Sequence, residues 1–78
     1  MRRDVKNPVT GNWTGIVNFI NHDKGYGFIA NDEFKNGLFF HARDCDIDFQ
    51  YLKKGATVSF TTVFETDKGM SAADITTT

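Results

Sequence analysis

The sequence predicts an all-β fold, and three observations support this prediction. Two runs, Lys24–Ile29 and Leu38–His41, show the period of two that places alternate side chains on opposite faces of a strand. The connector over residues 30–37 is rich in Asn, Asp and Gly, a composition that favours an antiparallel return of the second strand. No window of about eleven residues or more shows a convincing helical period.

Length and composition predict one small domain without a metal or cofactor. The 78 residues leave no room for a second domain, and we expect a stability of only about a few kcal/mol. The single cysteine, Cys45, excludes an internal disulfide and fits a reducing compartment. No stretch has the length and hydrophobicity of a membrane span or a signal peptide, so we expect a cytoplasmic protein.

Two histidines and one cysteine are too few for a closed zinc site, and no nucleophile–base spacing is recognisable, so we do not expect an enzyme.

The two aromatic runs predict a surface for flat ligands. If the strands pair in register, one face carries aliphatic residues and phenylalanine toward a core. The other face then carries two aromatic side chains from each strand, namely Tyr26, Phe28, Phe39 and His41. We interpret this second face as a stacking platform for unpaired bases. Aromatic residues are also common on half-buried strands, so the pattern alone leaves open which face is the core.

The same runs resemble the paired nucleic-acid-binding motifs of the cold-shock domain family. Three further segments resemble the first, fourth and fifth strands of that family, namely Gly15–Asn21, Leu52–Phe60 and Ser71–Ile75. The likeness runs from about Trp13 to Ile75. It implies a five-stranded antiparallel barrel of the oligonucleotide-binding (OB) type, single-stranded RNA or DNA as the partner, and an RNA-chaperone-like role under cold stress.

The elements preceding the aromatic runs are predicted as an arm and a strand. Residues 1–12 are interpreted as a mobile N-terminal arm, because they are charged and contain Pro8 and a turn signal at residues 10–12. The cold-shock-like domain is expected over residues 13–78, with Trp13–Asn21 as its first strand. A tight turn follows, on which His22 is expected to face solvent.

The elements following the aromatic runs are a long connection and a hairpin. In residues 42–55, Asp46 or Asp48 could cap a short helical turn that contains Phe49. The remaining predicted elements are a strand, a turn and a final strand, over Thr57–Glu65, Thr66–Gly69 and Met70–Thr76.

The resemblance extends the predicted site beyond the two runs. Phe19 stands where the family commonly has tryptophan, and Asn18 stands where lysine is typical. Phe49 resembles a loop phenylalanine that stacks a base, although packing of the loop onto the barrel is an equal alternative. Trp13 either packs at the end of the barrel or extends the platform. The predicted nucleic-acid-binding residues are Trp13, Asn18, Phe19, Lys24, Tyr26, Phe28, Phe39, His41, Arg43 and Phe49.

The predicted mechanism is base stacking with weak electrostatic guidance. Lys24 is the expected phosphate partner, with Arg43 and Lys53 or Lys54 as weaker candidates. The net charge of −1 argues against a strongly basic surface. Ala42 stands where the family often has phenylalanine, which predicts weaker binding than is typical. We expect a monomer with no membrane association and no small-molecule substrate.

Three other folds or functions compete with this interpretation. An RNA-recognition motif has a similar glycine-aromatic strand, but its second aromatic motif lies upstream and its two amphipathic helices have no counterpart here. A protein- or ribosome-docking module with weakened nucleic-acid binding is the main functional alternative, motivated by the acidic charge. A metal-dependent nuclease that uses the aspartates and Lys24 is a more remote one.

Overall fold

The computed structural model describes residues 6–78, and it shows an all-β chain. Six strands follow one another, namely β1 (Lys6–Asn21), β2 (Tyr26–Ala30), β3 (Leu38–His41), β4 (Thr57–Thr66), β5 (Gly69–Ala73) and β6 (Thr76–Thr77). Two single 3₁₀ turns, over Ala42–Asp44 and Phe49–Tyr51, lie between β3 and β4. Over this described range, no helix has the length and apolar character needed to cross a membrane.

Strands β1 to β5 close into a barrel. Their order is β1-β2-β3-β5-β4, and β4 pairs again with β1, while the two-residue β6 adds to β4. The neighbouring strands are antiparallel except β3 and β5, which meet in one parallel pair at Phe39 and Ser71. The predicted five-stranded barrel is therefore confirmed.

The register of β2 and β3 settles which face is the core. Phe28 lies opposite Phe39, and Gly27 lies opposite Phe40. Gly27 and Phe40 are buried, whereas Phe28 is 40% exposed, so the face assignment made from the sequence is confirmed. The core consists of Val17, Ile29, Leu38, Phe40, Phe49, Leu52, Val58, Phe60, Val63, Ala72 and Ile75.

Gly27 allows the barrel wall to approach its own core. A Cβ at this position would lie 2.5 Å from the carbonyl oxygen of Phe19 and 2.8 Å from the ring of Phe40. Both distances are too short for a real contact, and the first involves backbone that cannot move aside. Glycine is therefore required here so that β1 and β2 can curve tightly around Phe40.

A β-bulge in β1 places two consecutive residues on the outer face. Val17 pairs with Ile29 and Phe19 pairs with Phe28, so Asn18 is the extra residue between the two pairs. Val17 is fully buried, and both Asn18 and Phe19 are exposed. In a regular strand Val17 and Phe19 would share a face, so the bulge separates a core residue from a platform residue.

Part of the predicted N-terminal arm is in fact strand, which is a correction. Residues 6–12 form the first part of β1 and pair with β4, in the register Lys6↔Glu65, Val9↔Val63 and Thr10↔Thr62. The register shifts between residues 6 and 9 and between residues 10 and 13, so the turn-type residues of this segment lie at bulges and do not end the strand. Residues 1–5 of the predicted arm lie outside the described residues.

Candidate nucleic-acid interface

Four aromatic rings from three strands form one continuous outer surface, which we call the aromatic platform. It consists of Phe19 from β1, Tyr26 and Phe28 from β2, and Phe39 from β3. Neighbouring ring centroids lie 5.6 to 6.2 Å apart. Phe19 is 43% exposed and Phe28 is 40% exposed, while the other two rings are half-buried. Such a patch of large apolar rings in contact with water is typical of a binding surface.

His41 lies at one end of the platform, but its ring is also used to cap a turn. It pairs with Tyr26 across β2 and β3. The backbone N–H of Arg43 donates to Nδ1 of His41 at 3.2 Å, and the backbone N–H of His41 donates to Oδ2 of Asp44 at 3.1 Å. This reciprocal cap of the first 3₁₀ turn fixes the ring beside the platform. The sequence reasoning did not identify this second role.

Lys24 and Arg43, the two predicted phosphate partners, lie near that same end of the platform. The backbone N–H of Ala42 donates to the carbonyl oxygen of Gly25 at 2.8 Å, which joins the β1–β2 turn to the first 3₁₀ turn. Lys24 and Arg43 flank this contact in the chain, and both are exposed. Both cations therefore belong to turns that meet beside His41.

A groove borders the opposite end of the platform, beyond Phe28. Its volume is about 260 Å³, and it is lined by Asn18, Phe28, Ala30, Asn31, Phe34, Lys35, Asn36 and Gly37. Through the bulge in β1, Asn18 lies beside Phe28 in this groove. Phe34 was missed by the sequence reasoning. The available signal was a single aromatic residue in an otherwise polar turn segment.

Trp13 packs at the end of the barrel, in agreement with the first of its two predicted roles. Its ring stacks on Phe60 with a centroid distance of 5.8 Å and an interplanar angle of 17°, and it meets Phe34 edge to face at 5.8 Å. Its Nε1–H donates to Oε2 of Glu33 at 3.4 Å. Within the described residues, its ring contacts are with these two phenylalanines and not with the platform.

Phe49 is a correction to the predicted site. It is 6% exposed and belongs to the core, with its ring 5.9 Å from Phe40 and 5.5 Å from His22. Nε2 of His22 lies 2.6 Å from the carbonyl oxygen of Leu52, so His22 also packs against this loop and does not face solvent. Asp48 caps the turn by accepting from the N–H of Gln50 at 3.0 Å, as one of the two predicted caps. Phe49 is therefore unavailable for stacking.

Among the described residues, neither a metal-binding cluster nor an activated cysteine thiol is seen. Among residues 6–78, no cluster of three or more His, Cys, Asp or Glu side chains is arranged to hold a metal ion. Burial, assisted by the negative charges of Asp44 and Asp46, raises the pKa of the Cys45 thiol to about 11. Cys45 is therefore a neutral thiol near pH 7 and a poor nucleophile.

A closed barrel of five strands in this order defines a class, the OB-type barrels, whose sheet face binds oligonucleotides or oligosaccharides. Within that class, residues 13–78 match the family model of the 'Cold-shock' DNA-binding domain, and the chain belongs to this family. The family is known for binding single-stranded nucleic acids, and its members are not enzymes.

Similar proteins carry cold-shock names. The cold shock-like protein CspG of Shewanella violacea is 40% identical over 63 residues, which cover 80% of this chain and 89% of that protein. The cold shock-like protein CspA of Vibrio cholerae is 39% identical over 64 residues, 81% of this chain and 90% of that protein. A solved structure of Drosophila Unr CSD456 superposes with a TM-score of 0.72 over 88% of this chain and 27% of that chain, at 22% identity, which supports the OB-type fold.

Proposed function

We propose that this protein binds single-stranded RNA or DNA by stacking bases on the aromatic platform, and that it holds RNA unpaired as a chaperone under cold stress. The observation that carries the proposal is the set of four contacting rings on the outer face of β1, β2 and β3. Each stacked base contributes about 1–3 kcal/mol, as measured by truncation of its aromatic partner to alanine. Stacking of this kind accepts every base, so the preference is for strandedness and not for sequence.

The platform selects unpaired strands for a physical reason. Bases within a duplex already stack on one another, and their flat faces are inaccessible to Phe28 or Phe39. Binding therefore stabilises the open state of an RNA hairpin relative to its paired state. Lys24 and Arg43 guide the phosphates at one end, while Asp44, Asp46 and Asp48 nearby oppose them. We expect moderate affinity, consistent with the alanine at position 42.

The proposal is tested by titrating the protein into a labelled pyrimidine single strand and into a duplex of equal length. We expect binding of the single strand only, and opening of a hairpin that carries a fluorophore and a quencher. Phe28→Ala should weaken single-strand binding by about 5- to 150-fold, the range that corresponds to one lost stacking contact.

Tyr51→Ala is the matched control for this substitution. Tyr51 is an aromatic residue that is 82% exposed, and it lies on the second 3₁₀ turn, outside the platform. Its removal should leave the affinity unchanged. Equal losses for the two variants would contradict a localised platform. A folded wild-type protein that ignores single strands at low salt would instead favour a protein-docking role.

A further inference from the structure

We infer that Asn36 is a site of spontaneous deamidation, and that its conversion to aspartate or isoaspartate lowers the affinity of the platform for single strands. The second part of this inference rests on the proposed function, whereas the chemical step does not. Asn36 lies in the β2–β3 loop at the border of the platform, where it lines the groove beside Phe28. It is the one asparagine of the sequence that is followed by glycine.

The Asn36–Gly37 pair has the exposure and the backbone that this reaction requires. The Asn36 side chain is exposed. Gly37 has a φ of +82°, and within 4 Å a Cβ built there would meet the carbonyl oxygen of Ile29 alone, at 3.5 Å. Because glycine has no side chain, the nitrogen of Gly37 is open to the amide carbon of Asn36. The left-handed turn therefore requires glycine at the position where glycine makes the preceding asparagine labile.

The reaction needs water and no catalytic side chain. Hydroxide from the solvent removes the proton of the Gly37 amide, and the nitrogen then attacks Cγ of Asn36. A bond forms between this nitrogen and Cγ, and the bond from Cγ to Nδ2 breaks. Nδ2 takes up a proton from water and leaves as ammonia, so the product is a succinimide ring. Water then opens the ring at Cγ to give aspartate, or at the main-chain carbonyl carbon to give isoaspartate.

One hydrogen bond of the loop opposes this step in the folded protein. The N–H of Gly37 donates to the carbonyl oxygen of Phe34 at 2.8 Å, and this bond must open before the nitrogen can attack. Phe34 is itself held by Asn31, whose Oδ1 accepts from its N–H at 3.2 Å. The fold therefore slows the reaction relative to the unfolded chain. It does not prevent the reaction, because Asn36 lies in an exposed turn where local opening costs little.

The other described asparagines are poorer substrates for this reaction. The side-chain amides of Asn7, Asn21 and Asn31 are used in hydrogen bonds. Asn12 and Asn18 are exposed, but each precedes a bulky aromatic residue that shields the following backbone nitrogen. Deamidation is therefore expected first in the β2–β3 loop.

Conversion changes both the charge and the backbone beside the platform. Either product carries a carboxylate where Asn36 was neutral, so the net charge becomes more negative by one. The new charge lies on the wall of the groove that borders Phe28, where it repels the phosphates of a strand on the platform. Isoaspartate also lengthens the main chain by one atom, shortly before the fully buried Leu38.

The chemical step is tested on the full-length protein, incubated in neutral and in mildly alkaline buffer prepared with heavy-oxygen water. We expect a mass gain from the exchange of NH₂ for labelled OH, faster at the higher pH because the Gly37 amide must lose its proton. Peptide fragmentation should place the change at Asn36, and an isoaspartate methyltransferase should modify the same peptide. The wild type should react faster in urea, where the bond from Gly37 to Phe34 is open.

Two variants serve as controls for the chemical step. Asn36→Gln should stay unmodified, because its longer side chain would have to close a larger and less favourable ring. Asn12→Gln, which changes an exposed asparagine followed by Trp13, should react as the wild type does. Modification spread over several asparagines would overturn the inference, and so would conversion in urea with none in the folded protein.

The effect on binding is tested by comparing Asn36→Asp, which mimics one product, with Asn36→Gln. Asn36→Asp should bind a labelled pyrimidine single strand roughly 2- to 5-fold more weakly at low salt, the range of one exposed charge interaction. The difference should shrink at high salt. Wild-type protein that has deamidated, separated by anion exchange, should show a loss in the same direction. Thr61→Asp adds the same charge at an exposed position of β4, outside the platform strands, and should leave the affinity unchanged.

The outcomes separate this inference from the proposed function. A wild type that ignores single strands would contradict the proposed function and the second part of the inference, while a mass gain at Asn36 would still establish the reaction. If Asn36 reacts but Asn36→Asp and Asn36→Gln bind equally, the effect on binding is wrong. Equal losses for Asn36→Asp and Thr61→Asp would assign the effect to net charge, and would also overturn a local role for this loop.

Discussion

Adjacent phenylalanines in β3 have opposite surroundings. Phe39 is half-buried on the outer face and stacks against Tyr26 at 5.6 Å. Phe40 is fully buried and packs beside Phe49. The period of two in a strand makes this division predictable, since consecutive side chains point to opposite faces. The missing side chain of Gly27 leaves room for the Phe40 ring. If β3 paired with β2 one residue out of register, the Phe39 ring would point to the core instead.

The first prediction at this scale uses these neighbours as a matched pair. Phe39→Ala should lower affinity for a single strand by about 5- to 150-fold with a small loss of stability. Phe40→Ala should cost about 3–5 kcal/mol, because it leaves a cavity in the core. Urea denaturation and strand titration of both variants provide the measurements. If Phe39→Ala unfolded the domain as severely as Phe40→Ala, the assignment of the two faces would be reversed.

A second prediction at this scale concerns the Cys45 thiol. Burial is the main cause that raises its pKa from 9.0 to about 11, with smaller contributions from Asp44 and Asp46. Because the pKa is higher in the folded state, this group stabilises the fold fully below about pH 9. That contribution is lost as the pH rises toward about 11.

The measurement is thiolate absorbance during a pH titration of the folded protein and of the protein in urea. The folded thiol should titrate near pH 11 and the unfolded thiol near pH 9, with Cys45→Ser as the blank. Equal titration curves in the two states would show that Cys45 is not shielded by the fold.

At the scale of elements, irregularities were harder to predict than regular strands. Side chains in β2 and β3 alternate between the two faces with a period of two. The bulge at Asn18 interrupts this alternation in β1, and no sequence pattern marks its position. Only the resemblance to the cold-shock family placed Phe19 on the outer face. Likewise, nothing in the local sequence determines that Phe49 is buried while Tyr51 is 82% exposed, since this choice depends on packing against His22 and Phe40 from distant parts of the chain.

The N-terminal segment shows why proline and glycine do not always mark the end of a strand. Pro8 and Gly11 usually end a strand, and they motivated the predicted arm. In the structure, β1 continues through both residues. The register of its pairing with β4 shifts at each of them, so neither residue has to make a regular cross-strand pair. Pro8 has no N–H to donate, which is tolerated at such a bulge. Gly11 lies under the Trp13 ring, where a Cβ would come within 2.8 Å of Cη2.

This pairing predicts that the N-terminal segment stabilises the barrel. Deletion of residues 1–12 removes the three cross-strand pairs that Lys6, Val9 and Thr10 make with β4. The free energy of unfolding should fall on the order of 1–2 kcal/mol, since each pair contributes about 0.2–1 kcal/mol. Urea denaturation of this variant is compared with deletion of residues 1–5 alone, which keeps all three pairs. An unchanged midpoint after the longer deletion would show that the strand extension contributes nothing.

At the scale of the whole molecule, the cations near the binding face are divided between its two ends. Lys24 and Arg43 belong to turns near His41, and Lys35 and Lys68 line a groove between the β2–β3 loop and the β4–β5 turn, toward the other end. The net charge of −1 did not indicate this distribution, which depends on how turns from distant parts of the sequence meet. The family resemblance predicted the barrel and its ligand class, but it did not predict that Phe34, Lys35 and Lys68 line one groove, because these residues converge only in the folded chain.

The division of charge leads to a prediction about salt. At most about four phosphates can be neutralised by these four cations, and a single strand loses about 0.7 log unit of affinity per log unit of salt for each. The slope of log affinity against log salt should therefore be no steeper than about −3, and substantial binding should persist at high salt because base stacking is not screened.

Titrations of a long single strand between low and high monovalent salt measure this slope, and Phe28→Ala should lower the affinity at every salt concentration without changing the slope. A steeper slope for the wild type would mean that further cations, such as Arg2 and Arg3 near the N-terminus, contact the strand. A slope that changed in Phe28→Ala would mean that stacking and phosphate contacts depend on each other, and that the platform sets the path of the whole strand.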